Sequence, residues 1–342
     1  MALRQQLGYR RGLAKLCVGA TAGTLWLWSG PRASLTALPR AKLPTGLAAR
    51  TRSHALCSSA ETRVAKDRDY EMEVRRAWDA DSIASRGRAS SHHPLVYEDG
   101  GCEMHGRLTR PLRPNGAGVV IVHTAAGPHD VFLYWKADTL AALGYTVLIA
   151  DMLGDDCGRA WEPSWSVRAR EPLTGDRSLN QKRARAAIAA IASVDGVDSQ
   201  RIAAIGYCFG GRAVLDLARM GSRSGVAAVV SFHGLLDDGG TPAEDMSTDP
   251  SPVVLICHGD ADPFIEAGDR MRCESQLRRD GAKWEMITFG GVRHGFTNPA
   301  QRLNNNPAFG YDERAASRAW SAAQTLLEET IGLPGQANKV KN

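Results

Sequence analysis

The stretch GYCFGG, residues 206–211, encloses one cysteine with three glycines, between an apolar run and a segment of helical spacing. That placement suits two fates for Cys208: an inert thiol in a tight strand-to-helix turn, or a nucleophile held out for attack. Further along, HGDADPF offers Asp260 and Asp262, and GVRHGF offers His294. A thiol, a carboxylate and an imidazole in this order can carry acyl transfer. The thiol attacks, the imidazole moves the proton, and the carboxylate fixes the imidazole's tautomer and orientation. The spacing G-x-x-D, counted from Gly259, favours Asp262 as the partner, with Asp260 left to shape the loop. For His294 the alternative is an ordinary surface-loop histidine.

These residues need a scaffold that brings them together, and the chain between them has one. GVVIVHTAAG (118–127), YTVLIADML, RIAAIGY, GVAAVVSFHG, SPVVLICHG and KWEMITFGG read as buried strands. HDVFLYWKADTLAALG and SLNQKRARAAIAAIASV read as helices, the second with Ser178 as a candidate cap. Continuous apolar strands alternating with helices predict a mostly parallel central sheet with helices on both faces, an α/β fold. LVYEDGGCEMHGRLTRP adds a strand pair around Asp99-Gly100. In such sheets ligands bind beyond the carboxyl ends of the strands, where Cys208, Asp262 and His294 all fall. Cys208 also opens a helix, whose N-terminal dipole favours thiolate.

The folded domain is expected over 95–332, after a leader (1–60) and a charged, polar linker (61–94), and before a tail (333–342). A short helix is expected near Tyr70–Trp78, and the adjacent His92 and His93 read as solvated. Residues 1–60 carry nine Lys or Arg and no Asp or Glu, leaving 33 basic against 37 acidic residues in the rest. The +5 net charge is therefore a property of the leader, and no nucleic-acid surface is expected. An Arg- and Ser-rich, acid-free leader reads as a transit peptide for a plastid or mitochondrion, with the cytosol as alternative. Its uncharged part, Leu16–Pro31, is short and rich in Gly and Thr, so no stable membrane insertion is expected once the leader is removed. Seven scattered cysteines without a C-x-x-C pair argue against a disulfide framework and a zinc site, and no metal is expected.

GYCFGG, HGDADP and RHGF, in this order and spacing, resemble the dienelactone hydrolase family of α/β-hydrolases, over roughly residues 95–332. The resemblance implies an α/β-hydrolase fold and a monomeric, cofactor-free hydrolase acting on a small ester or lactone. It implies Cys208 as nucleophile, Asp262 as orienting acid and His294 as base. The oxyanion hole would use the backbone N–H groups of Phe209 and Ala125. Two departures from the family stand out. Thr124 occupies the position where dienelactone-cleaving members carry a glutamate, and His123 beside it could assist or serve in a second shell. Asp155 and Asn298 align with arginines that hold a substrate carboxylate, so an uncharged substrate is expected. Trp161, Trp165 and Phe264 are candidate pocket residues. Arg159 and Arg212 read as solvated surface residues, with an anionic contact as the alternative. Three rival readings remain: a weak hydrolase-like protein that binds a ligand, a sensor of oxidants through Cys208, and a thioesterase or peptidase on the same fold.

Overall fold

A computed structural model describes residues 68–87, 90–154, 173–237 and 251–332. The leader, the tail, Asp155, Arg159, Trp161 and Trp165 lie outside the described residues.

Eight strands form one sheet: β1 (Ser91–Asp99), β2 (Cys102–Arg110), β3 (Gly118–Val122), β4 (Thr146–Ala150), β5 (Ile202–Tyr207), β6 (Ala228–Phe232), β7 (Val253–Gly259) and β8 (Trp284–Phe289). Their order is β1-β2-β4-β3-β5-β6-β7-β8. The β1–β2 hairpin turns at Asp99–Cys102, and β2 joins β4 antiparallel. Every pairing from β4 through β8 is parallel. This is the mostly parallel sheet that the strand pattern predicts, and the architecture is the α/β-hydrolase fold that the resemblance implies.

Around it lie α1 (68–80), α2 (Ser82–Gly87), α3 (Val131–Ala142), α4 (Arg177–Ala192), α5 (Phe209–Ala218), α6 (Ala267–Arg279) and α7 (Glu313–Ile331). Successive strand residues face opposite sides, so the apolar runs feed two cores. Ile121, Ile205, Val230 and Phe232 meet Leu133 of α3 and Leu327 of α7. Val120, Ala204, Val229 and Ile256 meet Ile188 of α4 and Val214 of α5. A run that is apolar at every position is what a sheet covered on both faces requires.

Two details differ from the sequence reading. Asp176, not Ser178, caps α4: its carboxylate accepts the Leu179 N–H at 3.0 Å, while Ser178 already lies inside the helix. Part of the stretch read as linker is built into the fold. The α1 helix buries Val74 completely, and β1 begins at Ser91, with His92 and His93 paired to Thr109 and Leu108. The charged residues that suggested a linker belong to the exposed face of α1 and to an exposed edge strand, where polar side chains are normal.

Candidate active site

The parallel register puts Tyr207 beside Phe232, and Phe232 beside Cys257. The residues that follow, Cys208, His233 and His258, therefore emerge in a row at the carboxyl edge of the sheet.

Cys208 sits between β5 and α5 with φ 56° and ψ −112°, one of two described non-glycine residues at positive φ. A cysteine in that region is strained, and such strain persists only where the surroundings hold it. Here its N–H donates to the Phe232 carbonyl at 3.0 Å and its carbonyl accepts from Arg212 N–H at 3.2 Å. The enclosing glycines are needed for close backbone approach. A Cβ at Gly206 would run into the Gly210 carbonyl, and one at Gly210 into the carbonyls of Val122 and His123. The first turn of α5 is thus pressed against the end of β3, where the loop carrying Ala125 begins. Phe209 and Ala125, the expected oxyanion-hole residues, flank that junction. Phe209 is the first residue of α5, where a backbone N–H has no partner within the helix.

Asp262 and His294 are brought together from 32 positions apart, with Nδ1 of His294 at 2.6 Å from Oδ2 of Asp262. Both residues are buried. The other carboxylate oxygen accepts the Phe264 N–H at 3.0 Å, which fixes the acid within its turn. His294 is held by its own backbone, its N–H donating to Ala308 and its carbonyl accepting from Gly310. Burial alone would push its imidazole down. The charge of Cys208 and that of Asp262, with hydrogen bonds to both, outweigh burial and raise its pKa to about 10. The cysteine, histidine and aspartate therefore form one connected set. Asp260 is exposed, as befits a loop-shaping residue.

Aromatic rings wall this set. Phe264 and Phe309 meet His294 edge-on, with centroids at 5.0 and 5.2 Å. His233 packs against it at 5.1 Å, and its Nε2 lies 2.9 Å from Thr297 Oγ1. Burial, then the neighbouring His294, push His233 well below the ordinary imidazole value, so it stays neutral. Burial also lowers His258. Sequence reasoning did not single out His233 or His258. The signal was present, because SFHG and CHGD place each histidine directly after an apolar run, as GYC places Cys208.

The remaining expectations divide. Thr124 Oγ1 accepts the Ala126 N–H at 3.1 Å and so shapes the loop after β3. His123 is wholly buried, with Nδ1 at 2.6 Å from the Thr124 carbonyl and Nε2 accepting from Met152 N–H at 3.2 Å. These two bonds tie it to the loop after β3 and to Met152 beyond β4, the arrangement of the second-shell alternative. Arg212 is not solvated: it is buried, paired with Asp237 at 3.1 Å, and donates to the Thr174 carbonyl. Both side-chain ends of Asn298 are used: Oδ1 accepts from Ala300 N–H and Nδ2 donates to the Tyr70 hydroxyl. Among the described residues, no group of three His, Cys, Asp or Glu is placed to hold a metal ion. No described helix is long and apolar enough to cross a membrane.

A family profile described as the dienelactone hydrolase family matches residues 104–331. The human carboxymethylenebutenolidase homolog is 27% identical over 199 residues, which are 56% of this chain and 75% of that protein. The Caenorhabditis elegans protein K02A2.1 is 34% identical over 162 residues, 46% of this chain and 99% of its own. Among solved structures, the dienelactone hydrolase-like promiscuous phosphotriesterase P91, from metagenomic libraries, is 32% identical with a TM-score of 0.64. That match covers 71% of this chain and 100% of the other.

Proposed function

Since this chain belongs to the dienelactone hydrolase family and is an ester or lactone hydrolase, we propose that it cleaves small uncharged substrates through a thioester on Cys208. The single observation carrying this reading is the 2.6 Å Asp262–His294 hydrogen bond, in a histidine that also bonds Cys208.

In the proposed cycle, His294 holds the proton of the Cys208 thiol, and the thiolate adds to the substrate carbonyl. The developing oxyanion is received by the N–H groups of Phe209 and Ala125, each donor worth ~3 kcal/mol in such sites. The tetrahedral species collapses as His294 gives its proton to the leaving alkoxide, which leaves a thioester. Water, deprotonated by His294, then attacks the thioester. A second tetrahedral species expels the thiolate and the carboxylic acid product. Asp262 keeps the imidazole in the tautomer that both proton transfers need. With Thr124 in place of an acidic residue, proton management rests on His294. An uncharged substrate is supported by Asn298, neutral and engaged at both side-chain ends, and by the rings of Phe264 and Phe309. The protein acts as a monomer without metal or cofactor. The acid-free first sixty residues support delivery to a plastid or mitochondrion, with the cytosol as alternative.

The test is p-nitrophenyl acetate mixed with wild type and with Cys208→Ala. A burst of p-nitrophenol followed by turnover is expected in wild type, with loss of ~1000-fold or more in the variant. Equal turnover in both proteins sinks the thioester mechanism. No burst in either, with Cys208 still alkylating readily, turns the reading to a thiol sensor or ligand binder. A second reading, favoured by the likeness to a promiscuous phosphotriesterase, is attack of the same thiolate on phosphotriesters. A p-nitrophenyl phosphotriester in the same assay tests it.

A further inference from the structure

The two loops that carry the proposed chemistry are tied together by a residue outside the segment that matches the family, 104–331. The Tyr70 hydroxyl, on α1, lies 2.9 and 3.1 Å from the two carboxylate oxygens of Asp130 and accepts from Asn298 Nδ2 at 2.6 Å. Asp130 closes the loop that begins at His123 and carries Ala125. Its Oδ1 also accepts the Phe132 N–H at 2.9 Å and so caps α3. Asn298 closes the turn that follows His294, its N–H donating to the Gly295 carbonyl at 3.1 Å. One phenolic oxygen therefore donates to the first loop and accepts from the second.

We propose that Tyr70 is a positioning residue that clamps the Ala125 loop to the His294 loop, making α1 a working part of the active site. The inference rests on the esterase reading above. A hydroxyl that donates and accepts at once is suited to this task, whereas phenylalanine fills the same space and makes neither bond. The anchorage of α1 is broad. Val74 is fully buried, Glu73 pairs with Arg302 at 2.9 Å, and Asp81, just beyond the helix, accepts from Trp135 Nε1 at 2.8 Å. Burial, then the charge of Asp130, hold the phenol well above its ordinary value, so its proton stays available to donate. The clamp acts on geometry: displacing either loop moves an oxyanion donor or the base relative to Cys208, and misplacements of about 1 Å can cost ~100-fold in rate.

The experiment compares Tyr70→Phe, Asn298→Ser and Glu73→Gln in the full chain, at a temperature where circular dichroism shows each folded. Tyr70→Phe is expected to lose ~10- to 100-fold in kcat on p-nitrophenyl acetate, with KM changed by less than about twofold. Amide exchange at 124–130 and 294–298 is expected to accelerate. Asn298→Ser keeps a capping oxygen for Ala300 but loses the amide donor. It should give the same split, and the double variant should be no worse than the poorer single one. Glu73→Gln removes the surface pairs with Arg76 and with a half-exposed Arg302 and should stay within about twofold of wild type. Wild-type kcat in Tyr70→Phe, or an equal loss in Glu73→Gln, overturns the clamp. If Tyr70→Phe does not fold, Asn298→Ser decides by the same criteria. If wild type itself turns over no ester, the esterase reading falls and exchange judges the clamp: faster exchange in both loops supports it, and unchanged exchange overturns it.

Discussion

Three of the described cysteines are sorted by their surroundings. Burial pushes Cys257 up to about 12 and Cys273 up to about 11, so both stay protonated and inert at neutral pH. Cys208 is only part-buried, opens a helix, and bonds a histidine whose own value is raised to about 10. A histidine raised that far keeps its proton through neutral pH and releases it only as the pH approaches 10. The thiolate–imidazolium pair should therefore show an ultraviolet thiolate band at neutral pH, lost in His294→Ala. Asp262→Asn favours the wrong tautomer and should lower kcat by ~1000-fold or more while the protein stays folded. A thiolate band that survives His294→Ala would detach Cys208 from the histidine.

At the scale of elements, the turn from β5 into α5 is the feature on which the site depends. A cysteine held at positive φ in this turn needs neighbours without side chains, because the helix start is pressed against the end of β3. Gly210→Ala drives a Cβ into the backbone carbonyls of Val122 and His123, which cannot move without shifting the Ala125 loop. The expected cost exceeds ~3 kcal/mol, read as a fall in urea midpoint. Gly175→Ala is the control: a Cβ there meets nothing within 4 Å, and the expected change is below ~0.5 kcal/mol. Equal midpoints for the two variants would dismiss the close-approach account of the glycine pattern.

Across the whole molecule, α1 is joined to the turn after His294 through the Asn298 amide, and to α3 through a carboxylate that burial disfavours. Asp130 is raised to about 6, chiefly by desolvation, which the Phe132 N–H and the Tyr70 hydroxyl only partly offset. A carboxylate with a raised folded value contributes stability below the unfolded value, and that stability is lost as pH rises through the folded one. Stability should therefore fall between about pH 4 and pH 6, by ~3 kcal/mol from this group. Asp130→Asn keeps one oxygen, at the Oδ1 position, that can accept from both Phe132 N–H and Tyr70, but carries no charge. It should remove that decline and raise the urea midpoint at neutral pH, and an unchanged pH profile would exclude Asp130 as its source.

The sequence by itself determined the strands, their parallel arrangement, and the positions of Cys208, Asp262 and His294 at strand ends. All of these follow from local properties: unbroken apolar runs must be covered on both faces, and glycines around one cysteine mark a turn no other residue permits. Tertiary structure alone decided which charged and polar groups meet. Arg212, read as solvated, is buried against Asp237, because partner choice across 25 residues depends on how α5 packs. Asn298 reads as a missing substrate contact, yet it is half of a hydrogen bond to Tyr70, 228 positions away. Periodicity marks which face of a helix is apolar, but not which loop a single tyrosine on that face will reach. For that reason α1 read as part of a linker until the packing of Val74 and the hydrogen bonds of Tyr70 joined it to the site.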